Sequence, residues 1–501
     1  MKCCARLFFG GAFSLVGWMP CLGGAQAHAS LDVNNRIGMV DGALYGGFIE
    51  HLGRNVYGGV YDPSDVQADE DGFRRDVIAE MKALSTPIFR YPGGCFTDFW
   101  CWEDGIGPRE KRPVRIDPYW KQLEDNSFGL DEFMKWVGKV GAEPMMTFNL
   151  SNRGLVEAER MWEYLRFPGG TTLSERRRAN GRDKPYAIRY WCLGNEIHGG
   201  WEYGHRSAER YGEDAREVAK FLKNVDKDAV VILCGSERDQ KWNETVLGLA
   251  WKYTDLLSIH QGSGLACTNA SDILTKHIEA TVATIARVNA KRPVSERKHV
   301  RLAIDEYFLW DGHKGDPKTE YQKGRRILEP DYTLRDAVVM ADLHIALHNH
   351  ARDVAYAGIA QSVNVLAPIR TEKGGRLWHQ TIYDPLRLVS KWGRGEALAL
   401  QWRGDGSEDV RASAIYREKE GEVAIFTVNR STNEPQELAV ALDGDWKIGE
   451  SYELSGEEKA RNALGDERIR AREAHDVRIG GRELSVVLKP CSWRMIVLRR
   501  K

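Results

Sequence analysis

Tyr190-Trp191-Cys192-Leu193-Gly194-Asn195-Glu196 decides how this chain is read. A β-prone apolar run stops at a glycine, an Asn-Glu pair stands at the stop, and Gly199, Gly200 and Trp201 follow. An apolar run of this kind fits a strand buried on both faces, as in a parallel sheet. A carboxylate at the carboxyl end of such a strand is badly placed for stability and well placed for chemistry, which raises the question of what partners Glu196.

Outward from this stretch, apolar runs alternate with helical periodicity. Strand candidates are 43–50, 87–91, 144–150, 188–196, 230–235, 256–260, 300–308 and 358–365. Between them, Phe73, Val77, Ile78, Met81 and Leu84 fall on one helical face, as do Phe133, Trp136, Val137 and Val140. Leu334, Val338, Leu343 and Leu347 mark the last long helix. Eight strand–helix units over 44–385 point to an α/β fold of the (β/α)8 TIM-barrel type. An open doubly wound sheet carries a Gly-rich phosphate turn after its first strand, and Gly46-Gly47 is not followed by one. Beyond Pro385 the pattern changes to short alternating strands with turns such as Asp443-Gly444-Asp445. Segment 386–501, with 30–43, therefore reads as a C-terminal antiparallel β-sandwich, and 457–474 as a charged surface loop.

Composition narrows the class. The 501 residues include 71 Lys and Arg against 72 Asp and Glu, a net charge of −1. That argues against nucleic acid or a membrane surface as the partner. The 16 Trp and 18 Tyr favour a ligand whose faces stack on aromatic rings, such as a sugar, although a large aromatic core would also account for them. Six cysteines lie beyond residue 29, without a CxxC pair, so buried free thiols are expected rather than a zinc site. Residues 1–29 read as an export signal: Lys2 and Arg6 precede an apolar stretch over 7–22, and Ala27 and Ala29 end small-x-small cleavage sites. The expectation is a soluble periplasmic or extracellular protein, with no cofactor and no metal.

The strand ends carry the chemistry. Active sites of such barrels lie at the carboxyl ends of the strands. Here those ends bear Glu50-His51, Arg90, Asn149, Asn195-Glu196, His260, Asp305-Glu306, and Gln361 with Asn364. A single Glu at a strand end is more often a solvated loop residue; polar endings on seven of eight strands are not explained that way. Glu196 and Glu306, on strands four and seven, face each other across the mouth. Two facing carboxylates are what glycoside hydrolysis requires, one to protonate the leaving oxygen and one to attack the anomeric carbon or activate water. The same pair could hold a divalent metal only with further ligands close by, and Glu50 is the one extra carboxylate.

At these residues the chain resembles the α-L-arabinofuranosidases of glycoside hydrolase family 51. The resemblance runs from about Leu44 to the C-terminus. It is carried by Tyr45-Gly-Gly-Phe-Ile-Glu50-His51, Arg90-Tyr-Pro-Gly-Gly-Cys95-Phe96, Arg178-Ala-Asn-Gly181, Gly194-Asn-Glu196, Ile304-Asp-Glu306-Tyr307 with Trp310, and Gln361-Ser-Val-Asn364. It implies a retaining, exo-acting enzyme that releases terminal arabinofuranose from arabinan, arabinoxylan or derived oligosaccharides. Glu196 would be the acid/base, protonated in the free enzyme, and Glu306 the nucleophile. Glu50, Arg90, Cys95, Asn195, His260 and Gln361 would bind the sugar, and Trp310 would wall the leaving group. Family members are often oligomers, so a homo-oligomer is also open. Three positions depart from the pattern. Cys95 stands where much of the family has Asn, and His198 where many members have Trp. Strand six ends His260-Gln261-Gly262-Ser263 without the Tyr that orients the nucleophile, leaving His260 or Tyr307 for that task. An endo-β-glycanase on the same barrel and a non-catalytic carbohydrate-binding protein are the alternatives.

Overall fold

Eight parallel strands, each hydrogen-bonded to the next in chain order, form a ring. They are Gly47–Phe48, Ile88–Tyr91, Glu143–Thr147, Tyr190–Leu193, Val230–Cys234, Leu256–Gly264, Arg301–Trp310 and Val354–Ile359, called strands one to eight below. A parallel bridge between Gly46 and Gly358 closes the ring. This computed structural model describes residues 26–313, 315–403 and 408–501.

The barrel is the expected one, with two strands displaced. Strand one is two residues long, because Gly42–Tyr45 forms a 3-10 turn capped by the Asp41 side chain. Strand eight lies at Val354–Ile359, ahead of the expected 358–365. Val363, Val365 and Leu366 are as buried as the true strand, but Asn364 and Leu366 take positive φ, so the chain turns there and Gln361 and Asn364 stand in the loop beyond.

Side chains two apart on a strand share a face. Ile88, Met145, Tyr190, Ile232, Leu256, Ala303 and Tyr356 fill the lower interior as an apolar cluster. Two residues further on stand Arg90, Thr147, Cys192, Cys234, Ser258 and Asp305, all buried. The interior is therefore apolar at its base and polar at its mouth. Strand seven carries one more residue than strand six between the pairs Ser258–Ala303 and His260–Glu306. Such a bulge re-aims side chains, and here it brings both Asp305 and Glu306 to the inside.

The C-terminal region is a two-sheet sandwich. One sheet runs Arg36–Met39, Glu396–Leu398, Val410–Arg417, Glu422–Asn429, Ser492–Arg500, Trp446–Leu454 and Arg472–Glu473; the other runs Gln401–Arg403, Gln26–Leu31, Gln436–Leu442, Glu483–Leu488 and Arg478–Gly480. Leu31, Ile425, Val440, Leu484 and Ile496 meet between them. Trp446–Leu454 escaped the sequence pattern because its register shifts between Ile448 and Glu450, breaking the alternation. The sandwich is fastened to the barrel by helix Leu334–Asn349, where the His348 ring and Ser413 Oγ hydrogen-bond at 3.0 Å, and by Arg430, which donates to Asp272 at 2.9 Å. Segment 457–474 is docked rather than free: Leu334 N donates to Ala460 O, and Asn462 donates to His379 O at 3.1 Å.

The N-terminal expectation needs correcting. The apolar stretch 7–22 lies outside the described residues, but both cleavage positions fall inside strand Gln26–Leu31. That strand pairs with Gln436–Leu442 on one side and Gln401–Arg403 on the other, with Ala27 and Ala29 buried. The small residues read as peptidase sites are small because they pack in the sandwich. The six described cysteines are free. Ala29→Asp puts an unpaired carboxylate into that core and is expected to destabilise by about 2–5 kcal/mol, read as a lowered denaturation midpoint. An unchanged midpoint would mean that this strand is dispensable to the fold.

Candidate active site

Strand four ends at Leu193, and the chain turns sharply. Gly194 has φ +91°, where a side chain would meet Ile197 Cδ1 at 2.3 Å. Glu196 itself sits at φ +41°. Such a position costs about 1–3 kcal/mol in a non-glycine residue and persists where its surroundings over-determine it. The Gly199 N–H fixes it by donating to Glu196 O at 2.6 Å.

Arg90 is the hub. Its buried guanidinium donates to Glu306 Oε1 at 2.7 Å and to Asn195 Oδ1 at 2.8 Å, with Nε 3.2 Å from Asp305 Oδ2. His260 is the second cation. Its Nδ1 lies 2.8 Å from Glu196 Oε1 and 3.8 Å from Glu306 Oε2, and its Nε2 3.4 Å from Asp305 Oδ1, which also accepts from Ser258 Oγ. One oxygen of Glu196, one of Glu306 and a His260 nitrogen lie within 4.8 Å of one another. Arg90 thus aligns Glu306, and His260 assists. Tyr307 does not, because its hydroxyl pairs with His344 at 3.1 Å, away from the mouth.

The remaining predicted residues surround this pair. Glu50 accepts from Gln361 Nε2 at 2.8 Å and from Trp120 Nε1 at 2.9 Å. Gly94 keeps the space between Glu50 and Glu306 open; a Cβ there would stand 3.1 Å from Glu306 Oε1 and 3.4 Å from either Glu50 oxygen. Cys95 Sγ lies within 4.8 Å of oxygens of Glu196 and Glu202. Trp310 packs with Trp120 and Phe308 against one apolar cluster, and its N–H donates to His313 O at 3.2 Å. Three members were missed in the sequence as site residues. Trp201 donates to Glu196 Oε2 at 2.7 Å, Trp120 holds Glu50, and buried Glu202 accepts from Asn195 Nδ2 at 3.4 Å. Trp201 was visible beside the Asn-Glu pair; nothing in the sequence singled out the other two.

The charges are set by burial against contact. Burial alone would raise the Glu196 carboxyl, but the hydrogen bond and charge of His260, with the Trp201 N–H, outweigh it and bring it down to about 2. Burial works to lower His260, yet the charges of Glu306 and Asp305 raise it well above the ordinary imidazole range. Burial raises Glu306 against the opposing pull of His260 and Arg90. Burial and the Glu306 charge push Glu50 up to about 8. This runs against the expectation of a raised Glu196 carboxyl: the 2.8 Å contact with His260 favours an ionised Glu196 and a protonated imidazole.

The chain matches the α-L-arabinofuranosidase 1 domain family over residues 80–262 and the α-L-arabinofuranosidase C-terminal domain family over residues 305–492. It is 37% identical to an intracellular exo-α-(1→5)-L-arabinofuranosidase of Acetivibrio thermocellus, covering 94% of this chain and 99% of that one. It is also 37% identical to an intracellular exo-α-(1→5)-L-arabinofuranosidase 1 of Bacillus subtilis, covering 95% and 99%. The solved structure of a family 51 α-L-arabinofuranosidase from Bifidobacterium longum superposes with a TM-score of 0.90 at 31% identity, covering 95% of this chain and 100% of that one. The intracellular names of both relatives overturn the expectation of a secreted protein, in agreement with the burial of the supposed cleavage sites.

Asp305→Asn removes one anion from His260. The imidazolium should then lose its proton at a pH about 1–3 units lower than in the parent protein, followed by long-range 1H–15N NMR. A midpoint that stays put would assign its charge to Glu196 and Glu306 alone.

Proposed function

The chain belongs to the α-L-arabinofuranosidases of glycoside hydrolase family 51, and from that premise we propose how its residues divide the reaction. The enzyme is an exo-acting α-L-arabinofuranosidase, a function the relatives favour over the endo-β-glycanase and sugar-binding alternatives. The observation that supports a retaining mechanism is the spacing of the two carboxylates, whose nearest oxygens lie within 4.8 Å, and the Arg90 hydrogen bond to Glu306 at 2.7 Å marks that residue as the nucleophile. Retaining enzymes hold their carboxyl groups about 5–5.5 Å apart, whereas inverting ones leave about 6.5–9.5 Å for a water.

Glu306, aligned by the Arg90 fork, attacks the anomeric carbon of a terminal arabinofuranose. The bond from that carbon to the glycosidic oxygen breaks, and Glu196 delivers a proton to the departing oxygen. His260 Nδ1, 2.8 Å from Glu196 Oε1, is placed to exchange that proton with it. Water then enters; Glu196 takes its proton, the hydroxyl oxygen bonds to the anomeric carbon, and Glu306 is released. Two displacements at one carbon retain its configuration. Glu50, Gln361, Asn195 and Cys95 bind the ring hydroxyls. Raised to about 8, Glu50 has a proton to donate to a sugar oxygen near neutral pH. We assign catalysis to 44–385, support to 386–501 with 30–43, and the cell interior as the place of action. Arabino-oligosaccharides small enough to reach it are the natural substrates.

Glu306→Gly is expected to lose activity by about 10⁴-fold or more, and azide should restore turnover, giving an arabinosyl azide of inverted configuration. Glu196→Ala should lose about 10²–10⁴-fold on substrates with poor leaving groups, and azide should there give the retained product. The opposite pattern of products would exchange the two roles.

A further inference from the structure

The two most exposed aromatic residues among those described are Tyr203, 62% exposed, and Trp201, 53% exposed. Both lie within seven residues of Glu196, on the loop that follows strand four. Exposing large rings is costly, and scattered single cases need no explanation. These two are not scattered. Trp201 donates its N–H to Glu196 Oε2 at 2.7 Å. The Tyr203 ring packs edge-on against Phe99, with centroids 4.8 Å apart, and against Tyr119 at 6.3 Å. Tyr119 in turn meets Trp120 at 4.8 Å, and Trp120 donates to Glu50 inside the pocket. A row of rings therefore begins at the pocket wall and runs out to solvent at Tyr203, beside the acid/base.

The row lies where the departing part of the substrate must go. On the assignment above, Glu196 protonates the glycosidic oxygen, so its carboxylate marks the border between the released sugar and the leaving group. Glu50 and Gln361 lie on the released-sugar side. Trp201 caps the outer Glu196 oxygen and Tyr203 follows it outward. The C–H faces of sugar rings carry the weak positive edge that aromatic faces attract; Trp201 meets His198 at 5.8 Å and Tyr203 meets Phe99 and Tyr119, yet both keep more than half of their surface open to solvent.

We propose that Tyr203, with Trp201 beside it, is a stacking platform for sugar units on the leaving-group side, and that it selects linear arabino-oligosaccharides over substrates with a small leaving group. Trp120, Tyr119 and Tyr203 follow one another in ring contact, which suits an unbranched chain. Phe99 and Tyr119 fix the orientation of Tyr203 from behind. The proposal rests on Glu196 being the acid, but it concerns which substrates are preferred rather than whether the reaction occurs.

The test compares arabinotriose with methyl α-L-arabinofuranoside, whose leaving group is too small to reach the platform. Tyr203→Ala should raise KM for arabinotriose about two- to twelvefold, the range for one aromatic contact, with kcat and the methyl glycoside kinetics unchanged. Tyr203→Phe keeps the ring and should keep the parent KM. Equal losses on both substrates, or no loss on either, would overturn the platform. Absence of turnover of both substrates by the parent enzyme would instead count against the arabinofuranosidase mechanism itself.

Discussion

A fully buried guanidinium in the middle of a barrel is the constraint on which the rest of the site depends. Arg90 has lost its water, and an uncompensated charge at such depth would be intolerable. Its compensation comes from three residues on two sides of the barrel: Asp305 and Glu306 on strand seven and Asn195 beyond strand four. Removing one member of a buried ionic set costs about 3–5 kcal/mol, so these residues hold one another in place before any substrate arrives. The arrangement also dictates backbone shape. Arg90 reaches both carboxylates only because the bulge in strand seven turns Asp305 and Glu306 to the same side. It reaches Asn195 only because the chain after strand four turns at Gly194, which throws Glu196 into a left-handed conformation. The left-handed backbone at Glu196 thus accompanies the ionic set around Arg90.

The catalytic layer could be compact because the layer beneath it is inert. Apolar side chains fill the barrel base, and the polar residues stand two positions further along the same strands. Alternation along a strand places a charge at the mouth without touching the core. The sandwich does not enter this layer. It meets helix Leu334–Asn349 through Ser413 and helix Ala270–Ala290 through Arg430, on the outside of the ring.

The strand-end residues were legible because chemistry needs polar groups where a fold would prefer apolar ones. Glu50, Arg90, Asn195, Glu196, His260, Glu306 and Gln361 each break an apolar run. Trp120 and Glu202 break nothing: they sit in loops that already look polar, and only the folded chain carries them to Glu50 and Asn195. Strand eight was misplaced because 354–359 and 363–366 are equally apolar, and periodicity cannot distinguish a strand from a buried turn of similar composition. The N-terminal strand was misread for a related reason. Alanines that fit between sheets and alanines that fit a peptidase are the same residues, and local sequence carries no record of which partner selects them.

The absence of a tyrosine on strand six has a different consequence from the one its pattern suggests. The strand runs on past His260, and Gly262 lies so close to the Phe308 ring that a Cβ there would stand 2.9 Å from it. A tyrosine at that position would require the ring to move. The nucleophile is instead held by two cations, and they differ in kind. Arg90 keeps its charge at any working pH, whereas His260 keeps its own only while Asp305, Glu196 and Glu306 surround it. A hydroxyl would orient Glu306 whatever the state of Glu196. An imidazole ring that touches both carboxylates, at 2.8 Å and 3.8 Å, links the state of one to that of the other. On the proposed roles, any change in the charge of His260 is felt at Glu306 Oε2, 3.8 Å away. Replacing a tyrosine hydroxyl by a shared imidazole therefore couples the two halves of the site that the sequence presents as separate strands.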